Sequence, residues 1–442
     1  MHRLIPLLLA VCTPALAADP AGGPLAFSIA EGLTTDVGPR LAGTEAEARA
    51  RDWAVARLKA LGFANVRIEP FQMPVWVRGA ETAEIVAPAP QRIALTALGN
   101  SGATPADGLT APVVGFDGLA ALEAAPAEAV RGRIVFVDHR MGVTQDGSSY
   151  GYFGAIRRAG PSIAARKGAA AILIRSIGTD HHRLPHTGVQ TWAAGVAPIP
   201  AAAVSVPDAE QIARLLAKGG PVTLRLTLTP RMTGTGTSGN VVAEVPGRDP
   251  KQGIVLVGGH LDSWDLGTGA IDDAAGLGIT TAAARSLLGG RRPLRTVRLV
   301  WFGAEEVGGL GGAAYAKAHA AEPHALVAEA DFGGDRVWQF SASAPATAAP
   351  FLTRLEAALG PLGIGRNPGP AHGGTDVAPA AAAFRTTIVD LKQDGTRYFD
   401  IHHTADDTLD KIDPTQLTQA TEAWTAMLRL AADAPEMLAR PE

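Results

Sequence analysis

Short apolar runs alternate with amphipathic segments over the second half of the chain. The apolar runs have the length of strands that are buried on both faces, and they lie at Ile254–Val257, Val297–Phe302, Leu326–Ala330 and Thr387–Val389. Segments with helical periodicity lie at Asp273–Leu288, Gly312–His319, Pro350–Leu359 and Pro414–Ala432. The repeated order of strand and helix predicts a doubly wound, mostly parallel α/β sheet, in which ligands bind beyond the carboxyl ends of the strands.

The first half of the chain has a different texture. Glu45–Leu61 has the periodicity of an amphipathic helix that stops at Gly62, and it follows an Ala/Gly/Pro-rich lead that we expect to be mobile. Asn65–Phe71 then alternates as a strand. Between about residues 90 and 230, short helices and long Gly/Pro loops alternate with strands predicted at Arg133–Val137, Ala170–Ile174 and Thr223–Thr229. This region is typical of an inserted domain of mixed α/β type.

Composition narrows the class of protein. The chain has 442 residues, of which 47% are hydrophobic and 19% are charged, and its formal net charge is −4. A slightly acidic chain of this kind offers no basic surface for nucleic acid or for an anionic membrane. We therefore expect neither as a partner of the mature protein.

The N-terminus has the features of an export signal. Arg3 precedes the apolar run Leu4–Leu16, and Ala15-Leu16-Ala17 has the small residues of a cleavage site. The run is too short to span a bilayer as a mature helix, although a buried helix or a lipid anchor at Cys12 are alternatives. Cleavage at this site would remove the only cysteine. The signal features predict a secreted or periplasmic protein. The predicted division is a signal peptide at 1–17, an N-terminal part of the catalytic domain at 18–89, the insert at 90–230 and the remaining catalytic domain at 231–442.

Residues of the types that bind metals follow each of the buried strands. His260 comes after the first strand, Glu305-Glu306 after the second, Asp331 after the third and His402-His403 after the fourth. The carboxyl ends of parallel strands meet at one edge of a sheet, so we expect these side chains to lie together. Histidine and carboxylate groups that are crowded into apolar, glycine-rich chain are typical of a site for one or two metal ions.

The spacing of the first cluster predicts a ligand and its support. His260 and Asp262 lie on the same side of an extended chain, where a carboxylate can orient the ring of a metal-bound histidine. A structural His–Asp pair is the alternative. Asp272 and Asp273 open a helix after a glycine-rich turn. We expect one of them to cap that helix and the other to bridge two cations.

The adjacent glutamates are the most specific feature. Neighbouring residues at a strand end point in opposite directions, so one carboxylate can bind metal while the other faces metal-bound water. Two buried glutamates side by side would otherwise repel, and one would have to stay protonated. Asp331 is a ligand or a loop-start acid, and spacing does not choose between His402 and His403. Asp407 is expected to cap the turn into the final helix.

Together these motifs resemble a known family. The stretch HLDSWDLGTGAIDDAAG, the Glu-Glu pair, the later acid and the final HHT…DT are similar to the co-catalytic zinc exopeptidases typified by bacterial leucyl aminopeptidase. The stretches AAAILIRSIGTDHHRLPHTG and YFDIHHT are closer to the plasma glutamate carboxypeptidase (carboxypeptidase Q) branch. The resemblance covers nearly all of the mature chain. It implies a zinc exopeptidase fold whose insert is of the protease-associated type.

The resemblance also implies two zinc ions and a role for each site residue. The implied ligands are His260 and Asp331 on one ion, Glu306 and His403 on the other, and Asp272 between them. Glu305 matches the general base, and Asp262 matches the acid that orients the first histidine. His403 is preferred to His402 because the family's ligand directly precedes a small hydroxyl residue. Asp265 and Asp273 are left as turn and helix-start residues.

The implied reaction is hydrolysis of a peptide bond by metal-activated water, in which the base carries a proton from the water to the leaving amine. His402 is the first candidate for stabilising the oxyanion, and Tyr398 is the second. The other candidates for substrate contact are Thr375 and Asp376 in a crevice loop, and His186 or Thr187 in the insert motif HHRLPHTG.

Two classes of function compete. The first is an exopeptidase on small peptides that have a free N-terminus, acting either on dipeptides or, as a broader aminopeptidase, on longer peptides. An acyltransferase of the glutaminyl cyclase kind normally breaks the pair formed here by Asp272 and Asp273. The second class is a non-catalytic binding protein on the same fold, which the complete ligand set disfavours. The related branch also suggests a homodimer.

Overall fold

The computed structural model describes residues 24–439, and within them the chain forms two eight-stranded sheets. The predicted signal peptide and Cys12 lie outside the described residues. The strands are β1 Ala64–Val77, β2 Glu81–Ala87, β3 Gln91–Ile93, β4 Leu95–Ala97, β5 Leu109–Asp117, β6 Ile134–Asp138, β7 Ala171–Arg175, β8 Ala201–Val204, β9 Thr223–Leu228, β10 Arg231–Val245, β11 Ile254–His260, β12 Val297–Phe302, β13 His324–Glu329, β14 Val337–Ser343, β15 Gly365–Arg366 and β16 Thr387–Gln393. The α-helices are α1 Leu25–Gly32, α2 Glu45–Ala60, α3 Gly118–Ala124, α4 Ala127–Val130, α5 Ser148–Arg166, α6 Val206–Ala217, α7 Ala275–Arg285, α8 Leu310–Ala318, α9 Ala349–Leu359, α10 Ala378–Phe384, α11 Tyr398–Ile401 and α12 Pro414–Asp433.

The first sheet, which we call the catalytic sheet, has a parallel centre and mixed edges. Its order is β1-β10-β12-β11-β13-β16-β14-β15. The pairs β12–β11, β11–β13 and β13–β16 are parallel, whereas β1–β10, β10–β12 and β14–β16 are antiparallel. The prediction of a mostly parallel sheet therefore holds at the centre, where apolar runs are buried on both faces. The edges make the sheet mixed.

Helices cover both faces of the catalytic sheet. On one face, α1, α7, α9 and α12 share a core with the sheet. On the other face, α8 and α10 pack together over a second core. This two-sided cover is what lets the central strands remain continuous apolar runs.

The expectation of a mobile lead is wrong for residues 25–37, which are helical. Ile29, Ala30 and Leu33 are fully buried, and α1 packs against α7 and α12. A β-carbon built at Gly278 of α7 would lie 2.3 Å from the carbonyl oxygen of Ala26, so glycine permits this close approach.

The second sheet is formed within residues 81–228 and has the order β3-β2-β9-β5-β6-β7-β8-β4. Its centre, β5-β6-β7-β8, is parallel, and it has apolar cores on both faces. One of these cores also contains Trp264, which follows β11 of the catalytic sheet. The two sheets therefore share a buried residue next to the predicted metal site. Among the described residues, no helix is both long and apolar enough to cross a bilayer.

Candidate metal centre and cavity

The carboxyl ends of three neighbouring parallel strands form the floor of the candidate site. His260 is the last residue of β11, Glu305 and Glu306 follow β12, and Asp331 follows β13. His403 reaches the same place from the turn after α11. The sheet topology thus brings together residues that lie far apart in the sequence.

Asp272 lies between two groups of side chains. Its Oδ1 is 2.9 Å from His260 Nε2, which is also 3.4 Å from Asp331 Oδ1. Its Oδ2 is 3.2 Å from His403 Nε2, which is 3.0 Å from Glu306 Oε2. One carboxylate therefore faces two sets of ligand atoms with its two oxygens. This arrangement suits a bridge between two cations.

Backbone carbonyls hold one ring nitrogen of each histidine in the cluster. His260 Nδ1 lies 2.8 Å from the carbonyl oxygen of Asp262, and His403 Nδ1 lies 3.2 Å from that of Thr187. A carbonyl can only accept, so each Nδ1 carries the proton and donates it. The Nε2 atom of each ring therefore faces the carboxylate oxygens of the cluster. A metal-binding histidine typically has one nitrogen on the ion and donates with the other to a carbonyl or carboxylate.

Two buried carboxylate oxygens of the cluster also lack hydrogen-bond partners within residues 24–439, as expected of atoms that bind a metal ion. Asp272 Oδ2 and Glu306 Oε1 are buried and accept no hydrogen bond from the described residues. Burial raises the pKa of the Glu306 carboxyl, with a further contribution from the charge of Asp272. Burial, followed by the charges of Glu305 and Asp272, raises the pKa of Asp331 to about 7. Cations fit such a donor set because they replace the protons that these groups otherwise retain.

Asp262 supports the two glutamates rather than the ring of His260. Its Oδ1 accepts from the backbone N–H of Glu305 at 3.0 Å, and its Oδ2 accepts from that of Glu306 at 3.3 Å. The carboxylate is 3.9 Å from His260 Nδ1, which donates instead to the Asp262 carbonyl. Asp262 thus orients the histidine through its main chain and fixes the turn that carries both glutamates. The backbone at Ala304 has a φ of 60°, which lets both N–H groups face Asp262.

The turn that carries Asp272 is held from both sides. Asp273 accepts hydrogen bonds from the N–H of His260 and from that of Gly276 in α7, so it both caps the helix and ties it to β11. Asp407 Oδ1 accepts from the N–H groups of Ala270 and Ile271. The expectation that Asp407 caps the turn into the final helix is therefore wrong. Sequence spacing could not reveal this contact, because it joins segments more than a hundred residues apart.

Asp265 is also more than a turn residue. Its carboxylate forms an ion pair with Arg78 at 2.8 Å. Arg78 follows β1 and also pairs with Glu81 at the start of β2. The glycine-rich loop after His260 is thereby fixed to the connection between the two sheets.

A cavity of about 390 Å³ opens above the cluster. Three of the predicted substrate residues, His402, Tyr398 and Thr375, line it together with the catalytic candidate Glu305. The ring of His402 stacks on that of His403 with centroids 3.5 Å apart. Burial, followed by the positive charge of His403, lowers the pKa of His402, which keeps its imidazole neutral. Burial also raises the pKa of Tyr398, so its phenol remains protonated.

Two predicted substrate residues do not line the cavity. Asp376 is fully buried behind it, where its N–H donates to Glu329 Oε2. His186 is 2% exposed, and its ring nitrogens contact the carbonyl of His402 at 2.7 Å and Asp180 at 2.8 Å. The insert motif therefore supports the histidine turn from behind. It reaches the site through its main chain, because the Thr187 N–H also donates to the His403 carbonyl at 3.0 Å.

The lining of the cavity also contains residues that sequence reasoning missed. These are Tyr150, Arg157 and Arg158 of α5. Their positions in the sequence carry no motif, and only the packing of the second sheet over the catalytic sheet brings them to the site.

Comparison with known proteins identifies relatives of this chain. The family model of peptidase family M28 matches residues 240–428. Carboxypeptidase Q of Homo sapiens is 35% identical over 421 residues, covering 92% of this chain and 85% of the human protein. Carboxypeptidase Q of Bos taurus is 34% identical over 418 residues, with the same coverage of both chains.

Solved structures share the fold over nearly the whole chain. The crystal structure of a peptidase M28 precursor from Shewanella amazonensis has a TM-score of 0.91 and 45% identity, covering 95% of this chain and 96% of that one. A zinc aminopeptidase from Bacillus subtilis has a TM-score of 0.67 at 21% identity, covering 94% and 98% of the two chains. From the sequence relationship, the whole-chain structural match and the ligand-type cluster together, we conclude that the chain is a metallopeptidase that belongs to peptidase family M28.

Proposed function

We propose that this protein is a di-zinc exopeptidase that hydrolyses the peptide bond next to a free N-terminus, with dipeptides as its main substrates. The position of Asp272 between two sets of ligand atoms is the observation that carries the proposal. His260 and Asp331 would hold one ion, and Glu306 and His403 the other. Bound zinc would supply an activated water and polarise the scissile carbonyl.

The remaining chemistry is assigned to side chains of this chain. Glu305 lines the cavity and would accept a proton from the attacking water at its carboxylate, then deliver it to the leaving amine. The neutral imidazole of His402 is proposed to donate a hydrogen bond to the oxyanion, with the Tyr398 phenol as the second candidate. Asp262 fixes the positions of Glu305 and Glu306 by accepting hydrogen bonds from their backbone N–H groups.

Further parts of the proposal concern the whole protein. We assign the second sheet to a protease-associated-type insert, because it is inserted between β1 and β10 and forms a wall of the cavity. Export to the periplasm or the medium follows from the N-terminal signal features of the sequence. A homodimer is the proposed assembly, and light scattering of the purified protein tests it.

A substrate panel tests the function. Free dipeptides, N-blocked dipeptides and longer peptides are incubated with the zinc-loaded protein, with and without a chelator. We expect chelator-sensitive hydrolysis of free dipeptides and no hydrolysis of N-blocked ones. Equal rates on longer peptides would favour a broader aminopeptidase. A protein that binds no zinc and hydrolyses none of the peptides would refute the proposal.

A further inference from the structure

We propose that Arg157 and Arg158 form a subsite for the C-terminal carboxylate of a short peptide substrate. This inference rests on the proposed exopeptidase function and names its substrate class, namely peptides short enough for both termini to lie in one cavity. Both arginines belong to α5, which packs on the second sheet. They line the cavity that is also lined by Glu305 and Asp272.

Arg157 is a buried cation that lacks an anionic partner. It is 6% exposed, and its Nη1 donates to the Thr187 carbonyl at 3.3 Å. Its Nε is buried without an acceptor, and no carboxylate among the described residues pairs with it. The guanidinium lies over the ring of Tyr150, 5.4 Å from its centroid. A buried charge is costly unless it is paired, so a group beside a substrate cavity in this state is suited to an anion from the substrate.

The local backbone makes room for this guanidinium. A β-carbon at Gly188 would lie 2.1 Å from Arg157 Nη1 and 2.4 Å from its Cζ. Gly188 also has a φ of +137°, which side-chain-bearing residues rarely adopt. The insert motif therefore ends in a glycine against which the arginine packs, and Thr187 beside it contacts both Arg157 and His403.

Arg158 is exposed and contributes a second guanidinium to the lining of the cavity. Its Nη2 donates to the Gly151 carbonyl at 3.3 Å, and it has no carboxylate partner among residues 24–439. Two guanidinium groups offer several N–H donors in planar forks, which match the two oxygens of a carboxylate.

The cavity offers groups for both ends of a zwitterion. Its lining contains the acidic residues Glu305, Glu306 and Asp331, of which the last two would hold zinc, and also Arg157 and Arg158. A free dipeptide places its ammonium at one end and its carboxylate at the other. A cavity of about 390 Å³ suits a small ligand of this kind. A long peptide has no carboxylate at this distance from its N-terminus and gains nothing from the arginines.

The test compares a free dipeptide with the same dipeptide carrying a C-terminal amide. For the zinc-loaded wild type, we expect kcat/KM for the acid to exceed that for the amide by about tenfold to a hundredfold, as for a charge-assisted hydrogen-bond pair. In Arg158→Gln and Arg157→Lys, this ratio falls towards one. Arg166→Ala on the last turn of the same helix, which is exposed and outside the cavity, is the matched control and keeps the wild-type ratio.

Binding provides a second readout that does not depend on turnover. In Glu305→Gln protein, calorimetry compares the Kd of the dipeptide with that of its amide, and we expect the same preference for the acid. Equal Kd values, together with hydrolysis of the amide as fast as the acid by the wild type, would overturn the carboxylate subsite and leave the exopeptidase function intact. Absence of hydrolysis of every peptide with a free N-terminus would instead overturn the proposed function itself.

Discussion

At the scale of single residues, two non-glycine residues with a positive φ shape the candidate metal centre. Ala304 and His403 have φ values of 60° and 62°. Such conformations cost about 1–2 kcal/mol each and persist only where the surroundings fix them. At Ala304 the conformation places the N–H groups of Glu305 and Glu306 on Asp262, and at His403 it accompanies a ring held by the Thr187 carbonyl. Strain at both positions is offset by hydrogen bonds that orient the reactive side chains.

Substitution of the adjacent glutamates separates their roles. Glu305→Gln removes the proposed base but no proposed ligand, so we expect kcat to fall by about a hundredfold or more while two zinc ions stay bound. Glu306→Gln removes a proposed ligand, and we expect loss of zinc. The measurements are kcat and metal content by atomic spectroscopy. Zinc loss in Glu305→Gln alone would mean that the two roles are exchanged.

Sequence reasoning could find the residues that the topology brings together, and it could not find their supports. His260, Glu306 and Asp331 follow predicted parallel strands, and parallel strands end at one sheet edge, so their proximity was predictable. The contacts of Asp407 with Ala270 and Ile271 join distant segments without a periodic pattern. The same applies to the arginines of the cavity wall, whose position depends on how the second sheet packs.

At the scale of elements, the loop after β11 is fixed by one buried cation. Arg40 is fully buried, and its guanidinium donates to the carbonyls of Leu261, Thr268 and Gly269. These bonds close the loop into a rigid turn in front of Asp272. The N-terminal segment, which the sequence led us to expect mobile up to the first predicted helix, thus contributes a core helix at Leu25–Gly32 and the residue that shapes this loop. The role of Arg40 could not be predicted, because one arginine in a Gly/Pro-rich stretch resembles an ordinary surface residue.

Strand β13 begins with a buried histidine that makes stability depend on pH. His324 stacks on Phe384 with centroids 4.0 Å apart, and its Nε2 accepts from the Tyr315 hydroxyl at 2.8 Å. Burial, with the charge of Arg298, lowers the pKa of His324 from 6.5 to about 4. The unfolded chain therefore binds the proton more readily between these pH values, so the free energy of unfolding falls as pH decreases through this window. At about 1.4 kcal/mol per pKa unit, the loss amounts to about 3 kcal/mol below pH 4.

Replacement of this histidine checks the assignment. His324→Gln removes the titrating group, and we expect denaturant unfolding to show a smaller decrease in stability between pH 6.5 and pH 4 than the wild type shows. His181→Gln, at an exposed position in the loop between β7 and β8, serves as the control. An unchanged pH slope in His324→Gln would show that this histidine does not contribute.

At the scale of the whole molecule, the candidate metal centre lies at the contact between the two sheets. The main chain of Thr187 exchanges two hydrogen bonds with His403, one with its carbonyl and one with its ring. Trp264 follows β11 and packs edge-on against His403, with centroids 5.9 Å apart, while its indole belongs to a core of the second sheet. His403, a proposed ligand, therefore also contacts the second sheet, which would link metal binding to the docking of that sheet.

Hydrogen exchange measures this link. Zinc that orders the His403 ring also orders its partner, so we expect the Thr187 amide to exchange about tenfold more slowly in zinc-loaded than in chelator-treated protein. Peptides from β7, whose hydrogen bonds lie within the second sheet, report any general loosening and should not change. Equal exchange at Thr187 in both states would show that the docking of the second sheet does not depend on metal.

The pairing of β1 with β10 has a consequence for how the protein is made. All strands of the second sheet are encoded between these two partners, so they are synthesised before β10. Helix α1 and strand β1 are synthesised first, and they gain their contacts with α7, β10 and α12 only after the strands of the second sheet have been made. The second sheet is thus the first of the two sheets whose strands are all available for pairing during synthesis. The contacts of α1 with α12 form only after this last helix has been synthesised.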